Sequence, residues 1–362
     1  RQLKELISKM EQFYSGMFSV GDDKGYDAGY FAVELAVAGH SDEIVFYMAV
    51  PDSKKSLFEK QAQSVFSDVR LVEKKDDYNI FNETGDYVAS YAEFSGNHIF
   101  PIKTYDQYDY DPLNVLMNSF SKVDRENEGA SIQIIIKPAK TEKMSFYKNV
   151  LKEMEKGLKF KDALEEADSS FFNLFKQVGR QIIYSDDKKD EKKNAGATNQ
   201  TPIENIKLKT SSPLAEVNIR IVASAPTTEE AGAILTEIES SFNQFENTNG
   251  NRFKFKRIFG KELLKLSRDF SFRLFDVKNS LIMNLKELTT VVHLPENDIG
   301  VSSQLKKTEA VAAPAPLDLP TEGMLLGTNI YRNIETPIRV NVEDRLRHFY
   351  LIGQTGTVRR QC

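Results

Sequence analysis

Apolar side chains alternate between helical and strand-like spacing through the first part of the chain. Three- and four-residue intervals predict a helix over residues 2–18. Period-two runs at 30–37 and 43–50, separated by a polar turn, predict a hairpin. Pro51 ends the second strand, and Asp52 is placed to cap a helix, after which residues 69–73 return as a strand. The pattern predicts a ββαβ unit.

A second unit of the same kind follows. Strand-like runs occupy 87–94 and 98–104. Asp111 and Pro112 provide an N-cap and a first-turn proline for a helix, and the isoleucine-rich run at 130–137 predicts a buried strand. Two further helices are predicted over residues 142–157 and 162–184.

A third unit has the clearest signals for where its strands and helix begin and end. Residues 216–224 predict a strand, and Thr227 with Glu230 forms a capping box at the start of a helix. Residues 252–258 return as a strand, 281–291 predict a short helix, and strands resume after Gly323.

The recurrence of strand–helix–strand at 44–73 and 217–258 predicts the fold class. We expect an α+β protein of repeated ββαβ and βαβ modules of ferredoxin-like type. At the C-terminus an apolar run ends in the glycine-rich residues 353–357, and this predicts that the strands after Gly323 are the first strands of a truncated P-loop (RecA-like) α/β domain. Residues 186–202 lack large apolar side chains and predict a disordered charged linker. The predicted divisions are an N-terminal module pair at 1–160, a helix and charged linker at 161–203, a second α+β domain at 204–300, a Pro/Ala linker at 301–322, and the start of the P-loop domain at 323–362.

Composition narrows the class of protein. The chain has 362 residues, 40% of them hydrophobic, and a net charge of −5, which argues against a globally basic nucleic-acid coat. Cys362 is the one cysteine, so the sequence has neither a disulfide framework nor a cysteine-based metal site. No apolar run has the length of a membrane helix. Because Arg1 already lies in a helical pattern, we expect the natural chain to extend upstream.

The C-terminal stretch carries the most specific motif. An apolar run at 349–352 leads into Gly353, Gln354, Thr355, Gly356 and Thr357, which match the opening of the phosphate-binding pattern G-x-x-x-x-G-K-[ST]. Glycines are needed there because backbone N–H groups must converge on phosphate oxygens. A chance Gly-Thr-Gly sequence is the alternative interpretation.

The match ends at position 358. Glycine, lysine and Ser/Thr are expected where the chain has Val358, Arg359 and Arg360. The stretch Val-Arg-Arg-Gln-Cys can be encoded as GTA-AGA-CGN-CAR-TGY, and one G inserted before it restores codons for Gly-Lys-Thr. The hypothesis is a one-base deletion that interrupts an intact P-loop.

A basic and aromatic segment is the second candidate site. Arg252, Lys254, Lys256 and Arg257 interleave with phenylalanines, as in surfaces that bind single-stranded nucleic acid. The same alternation describes an ordinary strand with phenylalanine inward and cations outward, and this interpretation is favoured.

Other candidates lack the required spacing. Residues 105–111 concentrate carboxylates but lack the central glycine and final glutamate of a calcium loop, so a solvated capping loop is the better explanation. The four histidines are scattered, and no nucleophile–base grouping is recognisable. The sequence therefore predicts neither catalytic residues nor a metal site.

The stretch 340–357 resembles the start of the motor domain in type IV secretion and conjugative-transfer ATPases of the FtsK/HerA group, particularly membrane-associated members from uncultured small-genome bacteria. The paired α+β modules, Phe242-Asn243-Gln244-Phe245, residues 288–295 and the Pro/Ala linker extend the resemblance over most of the chain. Only the P-loop segment is chemically specific.

The resemblance implies an assembly and docking region ahead of a DNA-translocating ATPase. The intact parent would be a hexamer that uses ATP and Mg²⁺, sits at the cytoplasmic face of the cell membrane through upstream helices, and contacts secretion-channel or membrane proteins and DNA. Its phosphate-binding lysine falls at Arg359 and its magnesium hydroxyl at Arg360. As written, this stretch is expected to be soluble, to bind no cofactor and not to hydrolyse ATP. The alternative is a non-enzymatic α+β adaptor for a protein partner or single-stranded nucleic acid.

Overall fold

The computed structural model describes residues 2–18, 29–37, 44–66, 71–74, 77–81, 85–120, 123, 127–167, 200–294, 319–331 and 334–340. The chain divides into two compact units. Unit 1 comprises Arg1–Val65 with Lys75–Lys307, and unit 2 comprises Phe66–Lys74 with Thr308–Cys362. The predicted division at residues 203/204 falls within unit 1.

Unit 1 is a mixed α+β domain. Its strands are β1 (Phe31–Val37), β2 (Val45–Ala49), β3 (Asp86–Phe94), β4 (Gly129–Pro138), β5 (Leu214–Ala225), β6 (Phe253–Ile258) and β7 (Leu281–Asn284). Its helices are α1 (Gln2–Met17), α2 (Lys55–Val65), α3 (Pro112–Ser119), α4 (Thr141–Glu155), α5 (Phe160–Glu166), α6 (Gln200–Lys209), α7 (Thr228–Ser241), α8 (Gly260–Ser271) and α9 (Leu285–Val291). Short 3₁₀ turns cover Asp52–Lys54, Tyr105–Gln107 and Phe242–Phe245.

One antiparallel sheet joins all seven of these strands. The order is β2-β1-β4-β5-β3-β6, and β7 pairs with the first residues of β5. Four strands and two helices of this sheet occur along the chain in the order β3, α3, β4, β5, α7 and β6, with α4 to α6 inserted between β4 and β5. In the sheet the four strands lie side by side in the order β4-β5-β3-β6. Each helix thus connects two parallel strands with one strand between them, which is the split β-α-β-β-α-β arrangement of ferredoxin-like folds. The described strands form one such unit, and the β1–β2 hairpin widens its sheet.

The two faces of the sheet differ in character. Strand β5 is buried throughout, and its apolar positions Val217, Ile219 and Ile221 alternate with Asn218 and Arg220. Successive side chains of a strand point to opposite faces, so one face is apolar and the other carries buried polar groups. Helix α7 packs against β5 and β3, α3 contacts α7 and α9, and α9 contacts α1.

A second apolar cluster lies among the helices between β4 and β5. Phe146, Tyr147 and Val150 of α4 pack with Leu164 of α5 and Ile206 of α6. Ile282 of β7 joins the same cluster, so this helical insertion and the β7 strand share a core.

Local capping signals act as the sequence predicts. The Asp111 carboxylate accepts the Leu113 N–H at 2.8 Å, with Pro112 in the first turn of α3. Thr227 and Glu230 form the expected capping box of α7. Asn284 and Glu287 form another at α9, which the sequence analysis missed.

Several predicted elements differ in the structure. Residues 98–104 form turns and irregular chain instead of a strand, and residues 71–73 are not a strand either. Asp52 lies within a 3₁₀ turn whose cap is Pro51. The predicted helix at 281–291 begins as β7 and becomes helical only after Asn284. Residues 200–202, assigned to the linker, begin α6.

Unit 2 contains a two-stranded antiparallel hairpin. Strand β8 (Met324–Tyr331) pairs with β9 (Ile334–Val340), with an irregularity between Leu325 and Gly327. Strands after Gly323 are as predicted, whereas the phosphate-loop residues lie outside the described residues. No described helix is both long and apolar enough to cross a membrane.

Candidate functional site: a polar row and a groove on one sheet face

A row of polar side chains crosses six strands at a single register. Residues paired across neighbouring strands point to the same face of a sheet. The pairings place one residue from each strand on this line, in the spatial order Tyr47, Glu34, Gln133, Arg220, Tyr91 and Lys256. We call this set the polar row.

One end of the polar row is a closed ionic cluster. Glu34 is fully buried, and its carboxylate accepts hydrogen bonds from Arg273 at 2.9 and 2.8 Å. Gln133 donates to the same carboxylate at 2.7 Å, and Arg273 also binds Asp77 at 2.7 Å. The hydrogen bonds from Arg273 hold the pKa of Asp77 below its usual value. The buried charge therefore has the partners that burial demands.

Two aromatic rings pack together at this end of the polar row. Tyr78 stacks on Tyr47 with 4.9 Å between ring centroids, and its hydroxyl lies 3.0 Å from that of Ser131. Burial raises the pKa of Tyr78, so its phenol stays protonated. These groups satisfy one another, which favours a structural role for this end.

Arg220 forms the centre of the row. Its guanidinium donates to the Gln133 side chain at 3.0 Å and to the backbone carbonyls of Asp269 and Leu274 at 3.1 and 2.5 Å. Burial lowers the pKa of Arg220 below its usual value, and the nearby carboxylates of Asp269 and Asp276 offset part of that effect. Arg220 thus binds the C-terminal end of α8 to the sheet, where a cation is favoured by the helix dipole.

The other end of the row opens into a groove of about 820 Å³. Strands β3 and β6, helix α8 and residues 276–281 line it. Lys254 and Lys256 are exposed, and the Lys256 ammonium lies 5.5 Å from the centre of the Tyr91 ring. A hydrogen bond with Tyr91 raises the pKa of Lys256. The carboxylates of Glu93, Glu262, Asp269 and Asp276 line other parts of the groove. Lysines beside an aromatic ring suit an anionic, ring-containing ligand.

A buried ion pair lies close to this groove. The Lys209 ammonium is 2.7 Å from Glu287, and both side chains are inaccessible to solvent. Lys209 also donates to the Ile282 carbonyl at 2.6 Å, while His98 Nδ1 accepts the Ile282 N–H at 3.2 Å. Burial and the positive charges of Lys209 and Lys143 lower the pKa of His98 to about 3. His98 is therefore neutral, with its proton on Nε2, which has no hydrogen-bond partner in the described part of the chain.

The structure separates the four predicted nucleic-acid residues. Lys254 and Lys256 line the groove, whereas Arg257 binds Thr236 and Glu239 of α7 at 2.7 and 2.9 Å. Arg252 lies 3.7 Å from Glu246. The interleaved phenylalanines pack inward, since Phe253 is buried and both Phe253 and Phe255 contact Phe242 edge-on. The strand has the alternation of an ordinary edge strand, and of its four basic residues Lys254 and Lys256 line the groove.

The remaining predicted sites have separate outcomes. Gly353, Gln354, Thr355, Gly356 and Thr357 lie outside the described residues. Asp106 lies in a 3₁₀ turn and accepts a hydrogen bond from Thr104 at 2.6 Å, consistent with a capping loop. Within the described ranges no group of histidine, cysteine and carboxylate side chains could hold a metal ion.

Sequence reasoning missed the polar row. Glu34 was visible as the single charged residue of the apolar run at 31–37, and Arg220 as a charged residue within the apolar run at 216–224, which are unusual placements for buried strands. Arg273, the partner of Glu34, lies 239 residues from it, and no local pattern connects the two.

The fold and this site define an antiparallel α+β domain with one split β-α-β-β-α-β unit and a polar sheet face under α8. The chain belongs to the DUF8128 family, a domain of unknown function, whose family model matches residues 3–306. A search of curated proteins found no match.

Proposed function

We propose that the domain matched at residues 3–306 is the assembly and docking region of a membrane-associated, DNA-translocating P-loop ATPase of the type IV secretion and conjugation class. ATP and Mg²⁺ would be bound by the motor domain, whose first residues are 323–362. The partners would be further copies of the chain in a hexamer, channel or membrane proteins, and DNA reached through the motor.

The observation that carries this proposal is the order of segments near the C-terminus. The β8–β9 hairpin is followed by an apolar run at 349–352 and then by Gly353, Gln354, Thr355, Gly356 and Thr357. A strand that enters a glycine-rich turn is the sequence context that a phosphate loop requires.

The chemistry of unit 1 is consistent with a supporting role. The Glu34–Arg273 and Lys209–Glu287 pairs have their charges satisfied internally. No metal-binding group is found among the described residues. Such pairs fix the arrangement of strands and helices rather than present a reactive group to a substrate.

The phosphate-binding motif is interrupted by Val358, Arg359 and Arg360. A valine side chain obstructs the close approach of backbone to phosphate, and arginine supplies no hydroxyl for Mg²⁺. With these residues the chain would bind ATP weakly or not at all. With V358G, R359K and R360T followed by the shifted reading frame, the loop would have its lysine and hydroxyl.

The test compares two proteins for Mg²⁺-dependent ATP hydrolysis and for binding of a fluorescent ATP analogue. One is the chain as it stands, which should do neither. The other carries V358G, R359K and R360T with the shifted frame behind them, and should do both. Tight ATP binding by the first, or no hydrolysis by the second when it is folded, would contradict the proposal.

The groove supports a second candidate function, an adaptor that binds single-stranded nucleic acid. Lys254 and Lys256 of the edge strand β6 line the groove, and the Lys256 ammonium lies 5.5 Å from the centre of the Tyr91 ring. Stacking with phosphate contacts is the usual mode of binding for single strands. Fluorescence anisotropy with labelled oligothymidine should show salt-sensitive binding that K254Q/K256Q removes. The variant K148Q/K152Q on α4, with the same charge change, should retain it. Equal effects of both pairs, or no binding, would exclude this function.

A further inference from the structure

Exposed apolar side chains of unit 1 are concentrated in one short segment. Among its described residues, every exposed large hydrophobic side chain except Tyr110 lies between positions 259 and 277. They are Phe259, Leu264, Phe272, Leu274 and Val277, and Phe259, Leu264 and Phe272 are each about two-thirds exposed or more. Clusters of this kind mark interaction surfaces, whereas single exposed hydrophobic residues are ordinary.

Helix α8 arranges this segment into a defined face. Positions 261, 264, 265, 268 and 272 follow the helical i, i+3, i+4, i+7, i+11 spacing, so they lie along one side. They are Lys261, Leu264, Lys265, Arg268 and Phe272, and all are exposed. We call this set the outer stripe. Three cations and two large apolar side chains share it, and no carboxylate does.

The opposite side of α8 is fixed to the sheet. Leu266 and Phe270 are buried in a cluster with Val222 and Ala89 of the sheet. Because the helix already has its core contacts, the outer stripe is additional apolar surface that folding leaves uncovered.

The cations of the stripe are held outward by a carboxylate beneath them. Asp269 is buried, and its two oxygens lie 2.7 Å from the Lys265 ammonium and 3.0 Å from the Arg268 guanidinium. Both basic side chains remain more than half exposed. Asp276 also lies 3.2 Å from the Lys265 ammonium. The ion pairs thus fix the orientation of Lys265 and Arg268 while leaving both side chains accessible.

We infer that the outer stripe docks unit 1 on an anionic lipid surface. Leucine and phenylalanine would enter the headgroup region while the cations meet lipid phosphates and carboxylates. The helix would lie parallel to the membrane plane. Lys265 of the stripe also lines the groove, whereas the groove lysines Lys254 and Lys256 are not part of the stripe.

Charge and shape both favour lipid over other anionic partners. Leu264 and Phe272 are exposed on the outer side of α8, and a fluid headgroup layer can accept single apolar side chains without matched pockets. A polynucleotide would satisfy the cations but leave these apolar side chains in water. The chain as a whole is acidic at −5, so this basic face would also orient it toward a negative surface.

Vesicle co-sedimentation of the full chain tests the inference independently of any nucleotide binding. Vesicles of phosphatidylcholine with about one-third phosphatidylserine should bind the chain. Its affinity for vesicles of pure phosphatidylcholine should be lower by a factor of about ten or more. The variants K261Q/R268Q and L264S/F272S should each reduce binding to the anionic vesicles about tenfold. Leu264 and Phe272 are exposed, so circular dichroism and the urea midpoint should stay unchanged in L264S/F272S. K261Q/R268Q should keep the circular dichroism spectrum but lower the urea midpoint slightly, because Arg268 is one of two cations bound to the buried Asp269 carboxylate.

Two control variants separate the stripe from general surface effects. K148Q/K152Q on α4 removes two exposed cations elsewhere, and Y110S removes the exposed aromatic ring outside the segment; both should bind vesicles normally. Absence of binding to anionic vesicles would overturn the inference. So would full binding by L264S/F272S together with equal affinity for single-stranded DNA, because the stripe would then be a general polyanion site.

Discussion

Arg273 forms two hydrogen bonds with Glu34 across 239 residues of sequence, joining the loop after α8 to strand β1. Arg273 has a φ of 51°, and it is the one described non-glycine residue with positive φ. A left-handed backbone at such a residue costs about 1 kcal/mol or more, and it persists when surrounding contacts determine it. The contacts here are the two carboxylates, Glu34 and Asp77.

Removal of the arginine should destabilise unit 1 strongly. Arg273→Ala leaves the buried Glu34 carboxylate without its cation, and we expect the free energy of unfolding to fall by about 3 kcal/mol. Urea denaturation followed by circular dichroism measures this. The control Arg252→Ala removes an exposed arginine whose partner Glu246 is also exposed, and should cost less than about 1 kcal/mol. Equal losses for the two variants would show that the Glu34 pair adds nothing special.

The Lys209–Glu287 pair should behave as a coupled unit. Lys209→Met leaves a buried carboxylate with two backbone N–H donors, from Ile102 and Asn284, but no cation. We expect a loss of about 3–5 kcal/mol. Adding Glu287→Gln should recover part of that loss, because no charge then remains to be buried. Denaturation of the two single variants and the double variant measures the coupling, and additive losses would contradict it.

His98 predicts a specific dependence of stability on pH. Its folded pKa is lowered from 6.5 to about 3, so between these values the unfolded state binds one more proton than the folded state. The free energy of unfolding should therefore fall as pH drops below 6.5, by up to about 1.4 kcal/mol per pH unit from this group. His98→Asn keeps an acceptor for the Ile282 N–H but cannot titrate. Urea denaturation from pH 7 to 4 should give a shallower slope for this variant, and an identical slope would refute the assignment.

Two glycines should respond oppositely to alanine. A Cβ at Gly129, in the first position of β4, would collide with the backbone carbonyl of Ile80, and Gly129→Ala should cost about 1–3 kcal/mol. Gly232 lies within α7 with open space around its Cα, so Gly232→Ala should stabilise by about 0.5–1 kcal/mol. Thermal denaturation should shift in opposite directions, and a shared direction would contradict the described packing.

Local patterns were sufficient to predict the main strands and the capped helices. The alternation in 87–94 and the apolar runs of 130–137 and 216–224 correspond to β3, β4 and β5. Capping residues such as Asp111 act within two or three residues of the helix they start, so sequence reveals them. The shared register of six strands depends on pairing between segments that are far apart in the chain. A local sequence pattern therefore cannot predict it.

The failed predictions have physical causes. Residues 98–104 contain apolar Ile99 and Ile102, both buried, which resembles strand patterning. Their backbone is instead held by individual bonds, including Ile102 N–H to Glu287 and Lys103 N–H to Phe245. At 281–291 the apolar content is shared by a strand and a helix, and the capping box at Asn284 was the available signal for the change.

The proposal that residues 353–357 begin a nucleotide cradle is tested most directly by the DNA sequence across codons 353 to 360 and the region after them. A one-base deletion before codon 358 is predicted, with Gly-Lys-Thr restored in the shifted frame and an acidic Walker B strand encoded further on. An unambiguous in-frame Val-Arg-Arg, with no motor-like coding in any frame behind it, would contradict the proposal.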